Sequence, residues 1–151
     1  MFLGQFVFHT EDNLQYDSSY NIILDDSKSI TFSVRASNDA NIGFMCNSCN
    51  DFYQIAIGGW SNTKSVIQRG STKNSSSISG LLDGNEYRPF WAQALNGMVR
   101  FGTGHIIGQN VIVQWQDPSP IIPNYVGFTT GWGSSGDWII ESNLSGIPFH
   151  S

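Results

Sequence analysis

Ile30-Thr31-Phe32-Ser33-Val34 puts Ile, Phe and Val on one side of an extended chain and Thr and Ser on the other, because successive side chains of a strand point to opposite faces. Val111-Ile112-Val113-Gln114-Trp115 repeats the pattern. Working outward, similar short runs cover Gly4 to His9, Tyr20 to Leu24, Ser29 to Arg35, Asn41 to Met45, Tyr53 to Gly58 and Ser65 to Arg69. Further runs cover Glu86 to Leu95, Met98 to Phe101, Val111 to Gln116, Tyr125 to Thr130 and Asp137 to Ser142. No window of helical length keeps an apolar period of 3.6 residues. Evenly spaced strands without crossover helices predict an all-β chain, an antiparallel β-sandwich or jelly-roll-like single domain over residues 1–151.

Turn chemistry separates the runs. Asn96-Gly97 is a two-residue hairpin signal, and Asp83-Gly84-Asn85 and Gly108-Gln109-Asn110 supply residues that tolerate positive φ. Ser71 to Ser79 reads as an exposed Ser-rich loop. Asn74-Ser75-Ser76 and Asn143-Leu144-Ser145 match the N-glycosylation tripeptide, a pattern common by chance.

Composition narrows the function. Of the 151 residues, seven are Lys or Arg against twelve Asp or Glu, giving a net charge of −5. A phosphate-tracking surface needs clustered cations, so nucleic acid is not an expected partner. No apolar run approaches the roughly 20 residues that span a bilayer, so no membrane insertion is expected. The start, Met1-Phe2-Leu3-Gly4-Gln5-Phe6, lacks the basic and long apolar regions of a signal peptide.

Several motifs resolve against their sharper readings. Gly131-Trp132-Gly133-Ser134-Ser135-Gly136 fits G-x-G-x-x-G, but the strand-like Asp137-Trp138-Ile139-Ile140-Glu141 follows where a dinucleotide site needs a helix. A Gly-rich hairpin loop with an exposed Trp is expected instead. Cys46-Asn47-Ser48-Cys49 lacks the second Cys pair of a structural zinc site, which leaves a local disulfide or two free thiols. His9, His105 and His150 show no metal-ligand spacing, and no metal or cofactor is expected. No G-x-S-x-G nucleophile elbow and no Asp-x-Asp-x-Asp-Gly calcium loop occur, and Asp25-Asp26 reads as a solvated turn.

The tryptophans divide into two groups. Trp91 and Trp138 alternate with apolar residues and belong in the core. Trp60, in Gly58-Gly59-Trp60-Ser61-Asn62, and Trp132, in Gly131-Trp132-Gly133-Ser134, sit in loops beside small polar residues. An indole there either caps the core or stacks on the apolar face of a sugar ring, with nearby polar groups binding the hydroxyls.

Gly58-Gly59-Trp60-Ser61-Asn62-Thr63-Lys64-Ser65 followed by Ile67-Gln68-Arg69-Gly70 resembles the central motif of the farnesoic acid O-methyltransferase domain family. Glu86-Tyr87-Arg88-Pro89-Phe90-Trp91, Gly102-Thr103-Gly104, Trp115-Gln116-Asp117-Pro118-Ser119-Pro120 and Tyr125-Val126-Gly127-Phe128-Thr129-Thr130-Gly131 match the same pattern in order. The resemblance runs from about Ile30 to Ile140. Its name implies an S-adenosylmethionine-dependent methyltransferase acting on farnesoic acid, yet such enzymes usually need a parallel sheet with crossover helices. The domain also recurs in extracellular animal proteins, and some marine invertebrate members are similar to lectins. The resemblance therefore implies a secreted, non-catalytic lectin for galactose-containing glycans such as N-acetyllactosamine. A protein–protein interaction module is a further alternative.

On the lectin reading, glycans or glycoconjugates are the expected partners, with Trp60 or Trp132 as platform. Asn62, Arg69, His105 and Asp137 are the expected hydroxyl ligands, chosen for their chemistry and their position near turns. Weak single sugar contacts gain avidity through assembly, so a homo-oligomer, dimer or tetramer, is expected.

Overall fold

A computed structural model describes residues 3–143, with side chains described for residues 5–141. His150, and the end of the Asn143-Leu144-Ser145 tripeptide, lie outside the described residues. Twelve strands form among them: β1 (Leu3–Thr10), β2 (Ile22–Ile23), β3 (Ser29–Ala36), β4 (Ala40–Met45), β5 (Tyr53–Gly58) and β6 (Lys64–Arg69), then β7 (Ser71–Ser76), β8 (Arg88–Leu95), β9 (Met98–Thr103), β10 (Val111–Gln116), β11 (Tyr125–Thr130) and β12 (Gly136–Asn143). They build two six-stranded sheets, ordered β1-β12-β3-β8-β9-β10 and β2-β11-β4-β5-β6-β7, whose paired strands all run antiparallel. This is the expected β-sandwich.

The strand alternation predicts which faces meet. Ile30, Phe32 and Val34 of β3 are buried, while Thr31, Ser33 and Arg35 are half-buried on the outer face. Phe32, Phe44, Phe90, Phe101, Phe128 and Trp138 are essentially fully buried between the sheets. Removing each such side chain from water contributes about 1.5–3 kcal/mol. The Phe128 and Trp138 rings meet at 5.0 Å between centroids. Trp91 is also fully buried, but outside this inter-sheet cluster. Its indole N–H donates to the Gln109 carbonyl (2.7 Å), and Arg100 lies over its ring. The β9–β10 loop thus covers it on the outer face of the first sheet, so it is not the sandwich-core residue its alternation suggests.

Asn96 and Gly97 join β8 to β9 with φ values of 54° and 82°. Two positive angles match the right-handed twist of the flanking strands, as the hairpin signal requires. Three expectations are corrected. Ser71 to Ser76 is a strand and not a loop, because a ladder needs backbone groups and not apolar side chains: β7 pairs with β6, and Asn74 Nδ2 donates to the Gln114 carbonyl of β10 (2.7 Å). Tyr20 ends a 3₁₀ turn (Ser18–Tyr20) capped by Asp17, leaving only β2 of the expected Tyr20–Leu24 strand. Asp83, Gly84 and Asn85 need no positive φ, since the Asp83 carboxylate accepts from the Asn85 N–H and closes the turn.

Candidate functional site

The outer face of the second sheet carries the site. Register places Thr129 of β11, Asn41 of β4, Ala56 of β5 and Val66 of β6 in one row across four strands. The next row is Gly127, Gly43, Gln54 and Gln68. The two glycines make room for Tyr16, whose ring would lie 3.1 Å from a Cβ at either position. Tyr16 donates to Gln54 Oε1 (2.6 Å), and Gln54 Nε2 donates to Gln68 Oε1 (3.1 Å). Burial raises the Tyr16 phenol well above its ordinary value, so it remains a donor.

Over this floor opens a cavity of about 710 Å³. Trp60 from the β5–β6 turn and Trp132 from the β11–β12 turn both line it, 59% and 75% exposed. Because β5 and β11 flank β4, the two turns stand about 10 Å apart by strand spacing. Asn38 and Asp39, at the start of β4, lie between them.

Backbone strain concentrates here. Leu14, Asp39, Trp60, Ser61 and Trp132 all line the cavity, and all have φ between 47° and 60°. Trp60, Ser61 and Asn62 form three consecutive left-handed residues, a conformation costing roughly 1–2 kcal/mol per residue. Gly58 (φ 65°) starts this turn, and a side chain there would collide with Leu82 and Asn62. Strain gathered around a single cavity points to a constrained recognition surface.

The lining presents polar atoms that have no protein partner among the described residues and are open to the cavity. Asn41 is only 4% exposed, yet its amide has no side-chain hydrogen bond among the described residues. The Gln68 Nε2 donors likewise lack a protein partner among them. Asp39 is 8% exposed and accepts from Asn38 Nδ2 (2.8 Å), while its backbone N–H donates to the Gly58 carbonyl (2.9 Å). Burial pushes the Asp39 carboxyl above its ordinary value, against the lowering effect of the Asn38 bond. Neutral amides, one carboxylate and two indoles suit a ligand with hydroxyl groups and apolar ring faces.

The other residues expected from sequence stand elsewhere. Asn62 clamps the β7–β8 connection, donating to the Leu82 carbonyl (2.8 Å) and accepting from the Leu82 N–H (3.1 Å). Arg69 pairs with Asp51 and Asp117 on the far side of β6. Asp137 binds His9 (2.8 Å) and Arg35 (3.0 Å) on the outer face of the first sheet. His105 lies on that same face, so only Trp60 and Trp132 of the six meet at the cavity. Sequence reading missed Asn38, Asp39, Asn41, Gln54, Gln68 and Thr129. For Asn41, Gln54, Gln68 and Thr129 the signal was the alternation of polar or small residues with large apolar ones in β4, β5, β6 and β11, legible only once the strands are paired. Asn38 and Asp39 sit in the turn before β4 and carried no such signal.

Ser33, His105 and Glu141 are in line: His105 Nε2 is 3.3 Å from Ser33 Oγ, and Nδ1 is 3.8 Å from Glu141 Oε2. Nε2 also lies 2.9 Å from the Phe32 carbonyl, which only accepts, so Nε2 carries its proton there. It is not free to take one from Ser33. Among the described residues no group of three or more His, Cys, Asp or Glu is placed to hold a metal ion, and no helix is long and apolar enough to cross a membrane. Cys46 and Cys49 form a disulfide with Cα atoms 5.3 Å apart.

Solved structures similar to this fold include a prokaryotic β-1,3-1,4-glucanase (lichenase) derived from a mouse hindgut metagenome, with TM-score 0.55 and 11% identity over 93% of this chain and 80% of that one. The Caenorhabditis elegans galectin LEC-6 follows with TM-score 0.53 and 10% identity, covering 91% and 96%. A Bacillus licheniformis β-glucanase gives TM-score 0.50 and 10% identity, covering 93% and 79%. At such identities the likeness is one of fold. No curated protein sequence matches the chain. The model of the farnesoic acid O-methyl transferase family matches residues 7–144, nearly the whole sequence, and the chain belongs to that family.

Proposed function

We propose that the chain is a carbohydrate-binding protein that acts without chemistry, its site the cavity between Trp60 and Trp132. The observation that carries this reading is the convergence of two exposed indoles and the Asn41 amide, which makes no side-chain hydrogen bond among the described residues, on a single strained cavity. Indoles stack on sugar rings, and amides bind vicinal hydroxyls in both directions. A volume near 710 Å³ falls within the range of small-ligand pockets. The fold shared with a galectin and with glucanases supports the reading. Galactose-containing glycans, N-acetyllactosamine among them, are the first candidates. Assembly into a homo-oligomer would supply avidity, and the Cys46–Cys49 disulfide favours an oxidising, extracellular setting.

The family name brings methyl transfer into the test. The purified chain is applied to a glycan array and titrated calorimetrically with S-adenosylmethionine. Saturable glycan binding, lost in Trp60→Ala and Trp132→Ala, supports the proposal. Heat from S-adenosylmethionine with a silent array overturns it in favour of the enzyme. Silence in both, with capture of a protein partner, favours an interaction module.

A further inference from the structure

Asp39 is the single ionisable side chain among those lining the cavity, and no cation pairs with it among the described residues. Its neighbours explain how it is kept. The Asn38 amide donates to one carboxylate oxygen and also reaches the Gly131 and Trp132 carbonyls, tying the carboxylate to the Trp132 turn. The other oxygen packs against Gly59, where a Cβ would come within 3.3 Å. Glycine thus admits the carboxylate to the base of the Trp60 turn. The carboxylate is an acceptor only, held between the two indoles in an otherwise uncharged pocket.

Such a group discriminates by charge. A ligand hydroxyl gives it a charge-assisted hydrogen bond, whereas a ligand sulfate or carboxylate brings a like charge into a poorly solvated space with no lining cation. We infer that Asp39 sets the ligand class of the site: neutral glycans enter, and glycans whose terminal sugar carries sulfate or sialic acid are rejected. This rests on the carbohydrate-binding reading and deepens it.

Two charged groups of opposite sign flank the turns that wall the cavity, and neither forms an ion pair with Asp39 among the described residues. Lys64 of β6 places its ammonium 5.0 Å from the centroid of the Trp60 ring. Asp12, beside the Trp132 turn, accepts from the Gly133 N–H (3.0 Å) and adds negative charge. The cavity-lining residues of β5 and β11, Gln54, Ala56 and Thr129, are uncharged.

The test uses the full chain on an array that pairs lactose and N-acetyllactosamine with their sulfated and sialylated forms, alongside other neutral glycans. The wild type is expected to prefer each neutral form by about tenfold or more at neutral pH. Asp39→Asn, which keeps the shape and tolerates the left-handed backbone, is expected to narrow that ratio to within about twofold. Should the variant fail to fold, the wild type supplies a second readout. Its carboxyl is raised by burial, so lowering the pH neutralises it while sulfate stays ionised, and the ratio shrinks. Equal wild-type affinity for neutral and sulfated forms overturns the inference while leaving the site intact. A folded Asp39→Asn with an undiminished ratio does the same. An array on which no glycan binds overturns the underlying reading, and this inference with it.

Discussion

Arg69 shares its guanidinium between Asp117, which is 5% exposed, and Asp51 at the surface, where Nε lies 2.8 Å from Oδ2. Tyr53 completes the arrangement: its hydroxyl donates to Asp117 Oδ2 (2.8 Å) and accepts from the Ile121 N–H (3.1 Å). Burial pushes the Tyr53 phenol up to about 12, so it keeps its proton throughout the neutral range. The cluster ties β5 and β6 to the 117–121 segment. Arg69 is therefore a fastener between elements.

Removing it strands a carboxylate. Arg69→Ala leaves Asp117 buried with only Tyr53 and the Ser119 N–H as partners. Loss of one partner of a buried pair costs about 3–5 kcal/mol. Urea denaturation is expected to show a loss of that order. Arg69→Ala with Asp117→Asn should recover part of it, because no uncompensated charge remains.

Acid should act through the same group. Burial opposes ionisation of Asp117, but the Ser119 N–H, the Tyr53 hydroxyl and Arg69 together hold its carboxyl below the ordinary value. Asp137 is also lowered, first by its bond to His9 and then by Arg35. A depressed folded pKa contributes stability that is complete above the unfolded value of about 3.9 and is lost as pH falls through the folded one. Urea midpoints should therefore hold nearly level from pH 6 to about pH 5 and drop below about pH 4. Asp117→Asn should flatten that drop. A drop unchanged in that variant would assign it to other carboxylates.

Trp132 offers a test of strain kept for binding. At φ 54° a β-carbon costs about 1–2 kcal/mol, and with 75% of the residue exposed little packing offsets it. Trp132→Gly relieves the strain but loosens the unfolded chain by about 0.4–1 kcal/mol. The variant should match or exceed wild-type stability, by up to about 1.6 kcal/mol, while losing glycan affinity. Trp132→Ala keeps the β-carbon and the strain, so it should lose affinity without the gain. Thermal melts beside array binding separate the two.

How much of this was legible beforehand depended on which face a residue occupies. Runs such as Ile30 to Val34 announce themselves because one face is buried and the other wet. β7 does not, since both its faces are polar and its pairing rests on backbone groups and on Asn74. Trp60 and Trp132 were legible as loop indoles because glycines surround them. The floor between them was not, since Asn41, Gln54, Gln68 and Thr129 come from four strands and resemble ordinary outward-facing positions until register lines them up. Nearness to a turn misled for Asn62, whose amide faces Leu82, and for Arg69, which points to the opposite side of its strand.

Asn41 and Asn62 separate binding from architecture. Asn41 lines the cavity floor and Asn62 ends the turn that carries Trp60, and both would change by the same atoms on replacement with alanine. Asn62 makes two hydrogen bonds to Leu82, so Asn62→Ala leaves a backbone carbonyl and an N–H to find new partners. That should cost about 1–3 kcal/mol of stability. The Asn41 amide makes no side-chain hydrogen bond among the described residues, so Asn41→Ala has none to lose and should stay within about 0.5 kcal/mol of wild type. Its effect should be on the ligand instead, a loss of about 0.5–1.5 kcal/mol in glycan affinity, or up to roughly tenfold. Calorimetric titration with the best glycan from the array, beside urea denaturation, reads both quantities. If Asn41→Ala binds as tightly as wild type while its stability falls, the amide serves the fold, and the ligand does not rest on the floor of the second sheet.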